Sequence, residues 1–479
     1  MNKETVEFID RSLLADGDYV SPGLEIIKPD KCFPNLMISD TSVSNWPYLR
    51  REISHNWYVD KRQTYVGFLS RDEAHILYNT ALKFRGKKAL EIGCWYGWSA
   101  CHLALAGLEL DVIDPLLAQE DIYESVTNSL QSAGVLETVN LVSGYSPQQV
   151  AELAEQLQRR WSFFFIDGCH EAPSPLNDAI ICEQLAETDA LILFHDLNSP
   201  EVAQGLNYLK QKGWNTMIYQ TMQIMGVAWR GNIEPLQHQP DPKINWHLPE
   251  HLQNYSVSEL STDGFNEFQE IITAIRPYTL LGEARLFSLY TLAKKVCLED
   301  IPGNFVECGS CKGGSAALLA TVIKRYSRRP RLLYACDTFE GMPEPTEVDI
   351  YNGIPANFTG YGVGTLKAPI TENIQSICQL LKVQDIVVPV KGLFADTLPQ
   401  YKSEIGSIAF LHADGDWYES TMDIFNNLYD SVVANARIQV DDYGHWDGCK
   451  QALHDFEGLR AEQFNLRLID YTAVWFKKP

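Results

Sequence analysis

Positive charge is scarce in this 479-residue chain: 39 Lys and Arg stand against 62 Asp and Glu, for a formal net charge of −23. Such a surface repels phosphate backbones and anionic lipid, which excludes nucleic acid and membrane surfaces as expected partners. Long hydrophobic runs are also missing; none approaches the ~18–20 residues needed to span a bilayer. The start, MNKETVEFIDRSLL, has no basic segment leading into an apolar core, so no secretory leader is expected. Paired thiol motifs are lacking too. The one CxxC, Cys308 and Cys311, has no second pair at zinc spacing, and the eleven cysteines scattered through apolar segments fit reduced thiols in a cytoplasmic protein. A G-x-G-x-x-G fingerprint is absent from both halves, which disfavours a dehydrogenase. A G-K-[ST] step is absent as well, which disfavours an NTPase. No N-P-P-Y-like segment points to methylation of a base or amide nitrogen.

What is present is ordinary in bulk: 45% apolar and 21% charged residues, enough chain for two or three domains with full cores. The informative stretch runs from Ser407 to Cys449. Two short apolar runs, IAFL and ARIQV, read as buried parallel strands, and each leads into acids, Asp414/Asp416 and Asp441/Asp442. Between them STMDIFNNLYDSVV has helical spacing. In an open α/β sheet, ligands bind beyond the carboxyl ends of the strands, so Asp414, Asp441 and Asp442 can be aimed at one point. Three carboxylates there repel unless a cation lies between them, and hard oxygen donors suit Mg²⁺ or another divalent cation. The alternative is that these acids cap helices or sit on solvated loops.

The chain also repeats itself. Glu91, Gly93, Gly97 and Ser99 form E-x-G-x-x-x-G-x-S after the apolar run ALEI; Glu307, Gly309, Gly313 and Ser315 form it again, 216 residues later at all four positions. Asp167 then parallels Asp414, and His195/Asp196 parallel Asp441/Asp442, with spacings of 29 (167 to 196) and 28 (414 to 442). This is duplication of a whole domain. The expected organisation is a cover segment over 1–69, a first domain over 70–231 opened by the Ser70/Glu73 capping box, a Pro/Gln/Asn/His-rich linker over 232–262, and a second domain over 263–479. The second half carries an extra Gly/Pro-rich, aromatic insertion around 338–371, a candidate acceptor lid.

The chemistry of the turns is specific. Glycine at a strand-to-helix turn lets backbone approach a ligand, and the helix N-terminus beyond favours polar or negative groups on it. Glu91 and Glu307, at the strand ends, can accept from a ligand ammonium. Asp114 and Asp337 end the next apolar run, where a carboxylate suits a ribose diol. Ammonium plus ribose describes S-adenosylmethionine. The alternative for Asp114 and Asp337 is a loop cap.

With these residues in view, VECGSCKGGS, CDTFEGMPEP, GLFADTLP, DGDWYEST and DDYGHWDGC resemble the macrocin O-methyltransferase family, over about residues 265–479. DGCH from Asp167 and FHDL from Phe194 resemble a looser set of class I methyltransferases, over about 70–230. The resemblance implies an α/β fold of two tandem Rossmann-like class I methyltransferase domains, each a seven-stranded sheet with its last strand antiparallel. It implies S-adenosylmethionine as donor, Mg²⁺ dependence, a small hydroxylated acceptor and self-association as a homodimer. Carried onto this chain, Asp414, Asp441 and Asp442 become metal ligands, with Asp414 also the base. Glu307, Gly309, Gly313, Ser315 and Asp337 hold the donor, as do Glu91, Gly93, Gly97, Ser99 and Asp114 in the first half. Asp167, His195 and Asp196 form the first half's metal set. Where the family has Arg two residues before the metal Asp, this chain has His412, which reads more naturally as a core histidine. Where metal-dependent catechol methyltransferases place a Lys base, the second half has Trp417 and the first has His170, a candidate base or a surface histidine. Three organisations stand: both halves methylate, which the Gly turn and acids retained in the first half favour; only the second does and the first is a docking scaffold; or neither does and the chain is a cofactor-sensing or scaffold module, against which the intact second-half motifs weigh.

Overall fold

The computed structural model describes residues 6–9, 11–14, 18–33, 36–39, 48, 57–60, 69–258 and 262–479. Pro34, Trp46 and Pro47 of the expected cover, and positions 259–261 of the expected linker, lie outside them. The chain divides into two compact units, Met1–Thr262 and Asp263–Pro479.

Unit 1 holds one seven-stranded sheet, made of β1 (Lys88–Ile92), β2 (Glu109–Ile113), β3 (Val139–Val142), β4 (Trp161–Ile166), β5 (Ala186–Phe194), β6 (Asn215–Tyr219) and β7 (Met225–Arg230). Its spatial order is β3-β2-β1-β4-β5-β7-β6. Only β7 runs against its neighbours. Strands buried on both faces lose the polar alternation and read as continuous apolar runs. WSFFFI of β4 does this: Phe163 and Phe165 join one core layer, Phe164 and Ile166 the other. Helix α1 (Arg71–Leu82) precedes β1, and Ser70 and Glu73 close the capping box reciprocally. The N-terminal segment packs on α1: His75 meets Ile27 and Asn79 meets Glu25. Residues with a linker's composition pack back as well. His238 Nε2 lies 2.7 Å from Asp72, and Tyr219 donates to the Leu236 carbonyl.

Unit 2 repeats the plan with β8 (Asn304–Cys308), β9 (Leu333–Asp337), β10 (Val387–Lys391), β11 (Ile408–Ala413), β12 (Val432–Val440), β13 (Arg467–Leu468) and β14 (Val474–Lys477). The order is β10-β9-β8-β11-β12-β14-β13, the same permutation, again with the last strand antiparallel to β12. Helix α2 (Glu283–Leu298) precedes β8, as α1 precedes β1. The helix between β11 and β12 is Tyr418–Leu428 followed by a 3-10 turn, so it ends earlier than its apolar spacing suggests. Val432 is already strand, paired with Ile408. Two adjacent β-branched valines are poor helix formers and good strand formers, and the parallel partner takes them.

Candidate active site

Both units build the upper edge of the sheet the same way. In unit 2 the chain leaves β8 through Gly309 (φ +97°), Cys311 (φ +44°) and Gly313 (φ +83°); in unit 1 it leaves β1 through Gly93 (φ +86°), Trp95 (φ +47°) and Gly97 (φ +83°). A Cβ on Gly309 would lie 1.8 Å from the Asp414 carbonyl oxygen, and one on Gly93 would lie 2.3 Å from that of Asp167. The first glycine therefore lets the turn close against the strand end that carries the acid. Gly313 differs from expectation. It does not line the cavity described below, and its missing side chain makes room for Ile374, 2.5 Å from a Cβ there. Gly97 makes room for Val126 in the same way.

The acid ending the second strand clamps this turn. Asp337 Oδ2 accepts from the Cys311 N–H at 2.8 Å and its Oδ1 from the Phe339 N–H at 2.6 Å. Asp114 accepts from Cys94 and Trp95 at 2.9 Å and from Leu116 at 2.8 Å. Each thereby holds a non-glycine residue at positive φ, a conformation that persists only where its surroundings impose it. A carboxylate has about four acceptor positions, so capacity remains for a ligand.

The glutamates at the strand ends have different neighbours. Glu307 is fully buried and pairs in register with His412 on β11, whose Nδ1 lies 3.0 Å from its Oε1. The corresponding neighbour of Glu91 is Phe165. Burial there pushes the Glu91 carboxyl well above the usual range. Contrary to expectation, Glu307 lies outside the cavity wall. His412 is not an isolated core histidine either: its Nε2 is 3.6 Å from Asp441 Oδ1.

Past the sheet edge, Asp414, Asp441 and Asp442 each offer an oxygen within 4.8 Å of the others'. Burial, then the charges of Asp441 and Asp442, raise Asp414 well above its ordinary pKa. Burial and Asp442 do the same to Asp416, and burial with Asp441 lifts Asp442 to about 6. Burial also works to raise Asp441, but Arg285 and His412 outweigh it and hold Asp441 low. Arg285, third residue of α2, forms an ion pair with Asp441 and sits 3.2 Å from Asp470. Asp470 in turn accepts from the Thr472 and Ala473 N–H groups. Arg285, Asp470 and Asp416 were not singled out as site residues from the sequence. Only Asp416 had a local signal, its place in DGDW; Trp446 Nε1 donates to it at 3.1 Å.

These acids open onto a cavity of about 230 Å³. Gly309, Ser310, Ser315 and Asp337 form one side and Asp414, Asp441 and Asp442 another, while Met342, Tyr361 and Leu366 bring in the insertion. The insertion is pinned at its base: Met342 and Gly364 exchange backbone hydrogen bonds with the opposite stem, and Trp417 donates to the Pro343 carbonyl at 3.0 Å. Buried Asp349 caps the helix at Tyr418.

Unit 1 places Asp167, His170 and Asp196 within 4.8 Å of one another. His195, expected as a ligand, is turned away from that role. Its Nδ1 contacts Asp196 at 2.8 Å and Asp167 at 3.2 Å, and its Nε2 faces Glu73 of α1 at 3.6 Å. Burial opposes its charge, but Asp196 and Asp167 raise its pKa well above the usual histidine value. Burial likewise opposes the charge on Glu73 and on Asp167; His195 nevertheless brings each down to about 2. His170 Nε2 lies 3.2 Å from Asp196, and despite burial that carboxylate raises the pKa of the ring.

The donor set at unit 2 fits a hard divalent cation: all oxygen, convergent, with acids in excess of Arg285 and His412, and with buried Asp441 Oδ1 facing His412 at 3.6 Å but accepting no hydrogen bond. The turn fits a polar small molecule, since the buried Ser310 hydroxyl in the cavity wall lacks a partner.

Known proteins resemble this chain. Residues 247–478 match the family model described as Macrocin-O-methyltransferase (TylF), and residues 90–197 match one described as a methyltransferase domain. The chain is 30% identical over 200 residues to the 8-demethyl-8-(2,3-dimethoxy-alpha-L-rhamnosyl)-tetracenomycin-C 4'-O-methyltransferase of Streptomyces olivaceus, covering 42% of this chain and 75% of that one. It is 29% identical over 204 residues to the demethyldecarbamoylnovobiocin O-methyltransferase of Streptomyces niveus, covering 42% and 76%. Among solved structures, the O-methyltransferase NovP shares 24% identity at a TM-score of 0.39, covering 45% of this chain and 99% of that one. The chain is a tandem methyltransferase-fold protein, and through its C-terminal unit it belongs to the macrocin O-methyltransferase family. No helix among the described residues is long and apolar enough to cross a membrane.

Proposed function

We propose that unit 2 transfers a methyl group from S-adenosylmethionine to a hydroxyl of a specialised metabolite, with Mg²⁺ or another divalent cation at Asp414, Asp441 and Asp442. The observation that carries this reading is the convergence of those three acids in the same cavity as Gly309, Ser310 and Asp337. When bound, the donor supplies the methyl group and the cation lowers the pKa of the acceptor hydroxyl and orients it. Gly309, Ser310, Ser315 and Asp337 would hold the donor, with Glu307 behind the turn. Asp414 would also take the hydroxyl proton. Arg285 and His412 orient Asp441, as outer partners orient metal-binding carboxylates. Two of the relatives named above are O-methyltransferases of a rhamnosyl-tetracenomycin C and of demethyldecarbamoylnovobiocin, which supports a small hydroxylated acceptor.

A second reading gives unit 1 a site of its own, on the observation that Asp167, His170 and Asp196 also converge. The internal ion pairs of His195 favour the one-site reading. The full-length chain, incubated with labelled donor, Mg²⁺ and candidate metabolites, decides between them. Transfer should fall by on the order of 10³-fold in Asp414→Asn and persist in Asp167→Asn. Full transfer by Asp414→Asn would move the chemistry out of unit 2, and a calorimetric count of two donors per chain would favour two sites.

A further inference from the structure

Carboxylates that converge without a cation push one another apart, so the two chain segments that carry them need a hold from outside. Arg285 and His412 restrain Asp441 from α2 and β11. A second hold comes from the insertion. Asp349 has no exposed surface. Its Oδ1 accepts from the Tyr418 N–H at 2.8 Å, and its Oδ2 accepts from the Thr346 N–H at 2.6 Å and the Thr346 hydroxyl at 2.8 Å. The same Oδ1 lies against Gly448, where a Cβ would come within 1.9 Å of it.

The two contacts fall at matching places. Tyr418 opens α3 (Tyr418–Leu428), the helix after Asp414 and Asp416; Gly448 is the second residue of α4 (Asp447–Arg460), the helix after Asp441 and Asp442. One carboxylate therefore stands at the N-termini of both helices that follow the clustered acids, where the helix dipoles favour it. Neither Trp417 nor Trp446, the residue before each helix, caps it with its own side chain. The two indoles meet edge to face instead, ring centroids 4.9 Å apart. The Asp416 N–H donates to Asp442 Oδ2 at 3.2 Å, and Trp446 donates to Asp416. Segments 414–418 and 441–448 are thus tied to each other, and both are seated on Asp349.

Resting on the cation reading of this site, we propose that Asp349 is a positioning residue for the metal. It holds the two segments at the separation at which Asp414, Asp441 and Asp442 share one divalent ion. The insertion thereby serves the metal as well as the cavity wall.

The test titrates the chelator-treated full-length chain with Mn²⁺, followed by electron paramagnetic resonance; the site lost in Asp442→Asn is the one read. Asp349→Ala should weaken that site by about tenfold or more, the scale of losing an outer partner of a metal ligand. Thr346→Val removes one donor to Asp349 and should weaken it by about twofold or more, which keeps the test open should Asp349→Ala not fold. Gly448→Ala, whose Cβ displaces the carboxylate, should weaken it too, yet add less than about twofold in an Asp349→Gly background, as coupled sites do. Leu428→Ala removes a buried side chain at the far end of α3 and should lower the melting temperature with Mn²⁺ affinity unchanged. In methyl transfer, Asp349→Ala should raise the Mg²⁺ concentration for half-maximal rate and recover kcat at saturating Mg²⁺; general loosening would lower kcat at every concentration. Unchanged Mn²⁺ affinity in Asp349→Ala and Thr346→Val, or equal weakening in Leu428→Ala, overturns the proposal. A wild-type chain without an Mn²⁺ site that Asp442→Asn removes would end the cation reading and the proposal with it. An Mn²⁺ site that behaves as expected in a chain that methylates no metabolite counts against methyl transfer alone.

Discussion

The two units share one strand order and one turn, yet their ion pairs are inverted. In unit 1 the third residue of the helix before the sheet is Glu73, and it faces His195; in unit 2 the third residue is Arg285, and it pairs with Asp441. His195 and Asp441 follow equivalent strands, β5 and β12. Unit 1 thus sets an imidazole among carboxylates, which raise its pKa. Unit 2 encloses a carboxylate between Arg285 and His412 and leaves Asp414, Asp416 and Asp442 with pKa values forced upward. A duplicated fold kept its backbone while the charge at its functional edge was reversed. By the one-site reading proposed above, the surplus negative charge of unit 2 would be met by an added cation.

The largest expected effect breaks this comparison at its acid. Asp414→Asn should lower methyl transfer by on the order of 10³-fold, within the range for losing a general base, whereas Asp167→Asn should leave the rate within about twofold by the one-site reading; initial rates with labelled donor check both. Next is the inverted pair itself. Arg285→Gln strands a buried carboxylate and should destabilise unit 2 by about 3–5 kcal/mol. Glu73→Gln should cost unit 1 less, about 1–2 kcal/mol, because His195 keeps two carboxylates. Hydrogen exchange followed peptide by peptide reads each unit separately.

The third prediction concerns pH, where two single groups, His102 of unit 1 and Asp442 of unit 2, pull in opposite directions without metal. Burial lowers His102 in unit 1 to about 4, from an ordinary 6.5. Between those values the unfolded chain binds the extra proton, so the contribution of His102 is complete above pH 6.5 and falls by about 3 kcal/mol as pH drops to 4. Asp442 in unit 2 is raised to about 6, from an ordinary 3.8. There the folded chain binds the extra proton, so stability is lost as pH rises through that window, again by about 3 kcal/mol. Exchange at pH 4, 5 and 6.5 in the wild-type chain against His102→Gln and Asp442→Asn, corrected for intrinsic chemistry, isolates the two contributions; differences of the same sign with pH would contradict them. The smallest effect is metal addition: Mg²⁺ at a hundred times its Kd should protect unit 2 by about 2.7 kcal/mol and leave unit 1 unchanged.

Much of this was legible in residue order. The E-x-G-x-x-x-G-x-S repeat placed Gly309 against Asp414 and Gly93 against Asp167, because a positive φ and a close backbone approach leave glycine as the residue that fits. The aspartates at 414, 441 and 442 were readable because acids follow apolar strand runs. The roles of Gly313 and His195 were not. One depends on Ile374 filling the space beside it, the other on Glu73 arriving from a distant helix.

By itself the sequence determined the duplication, the strand plan, the sharp turns and the acids at the strand ends. These rest on short-range periodicity and on backbone conformations that few residues tolerate. Only the tertiary structure decided which charge each acid meets. Arg285 and Asp441 are 156 residues apart, and Glu307 and His412 are 105 apart. No local pattern encodes such pairs. They form because parallel registry sets His412 beside Glu307 where unit 1 sets Phe165 beside Glu91, and because a packed helix delivers its third residue to the same spot in both units with opposite charge.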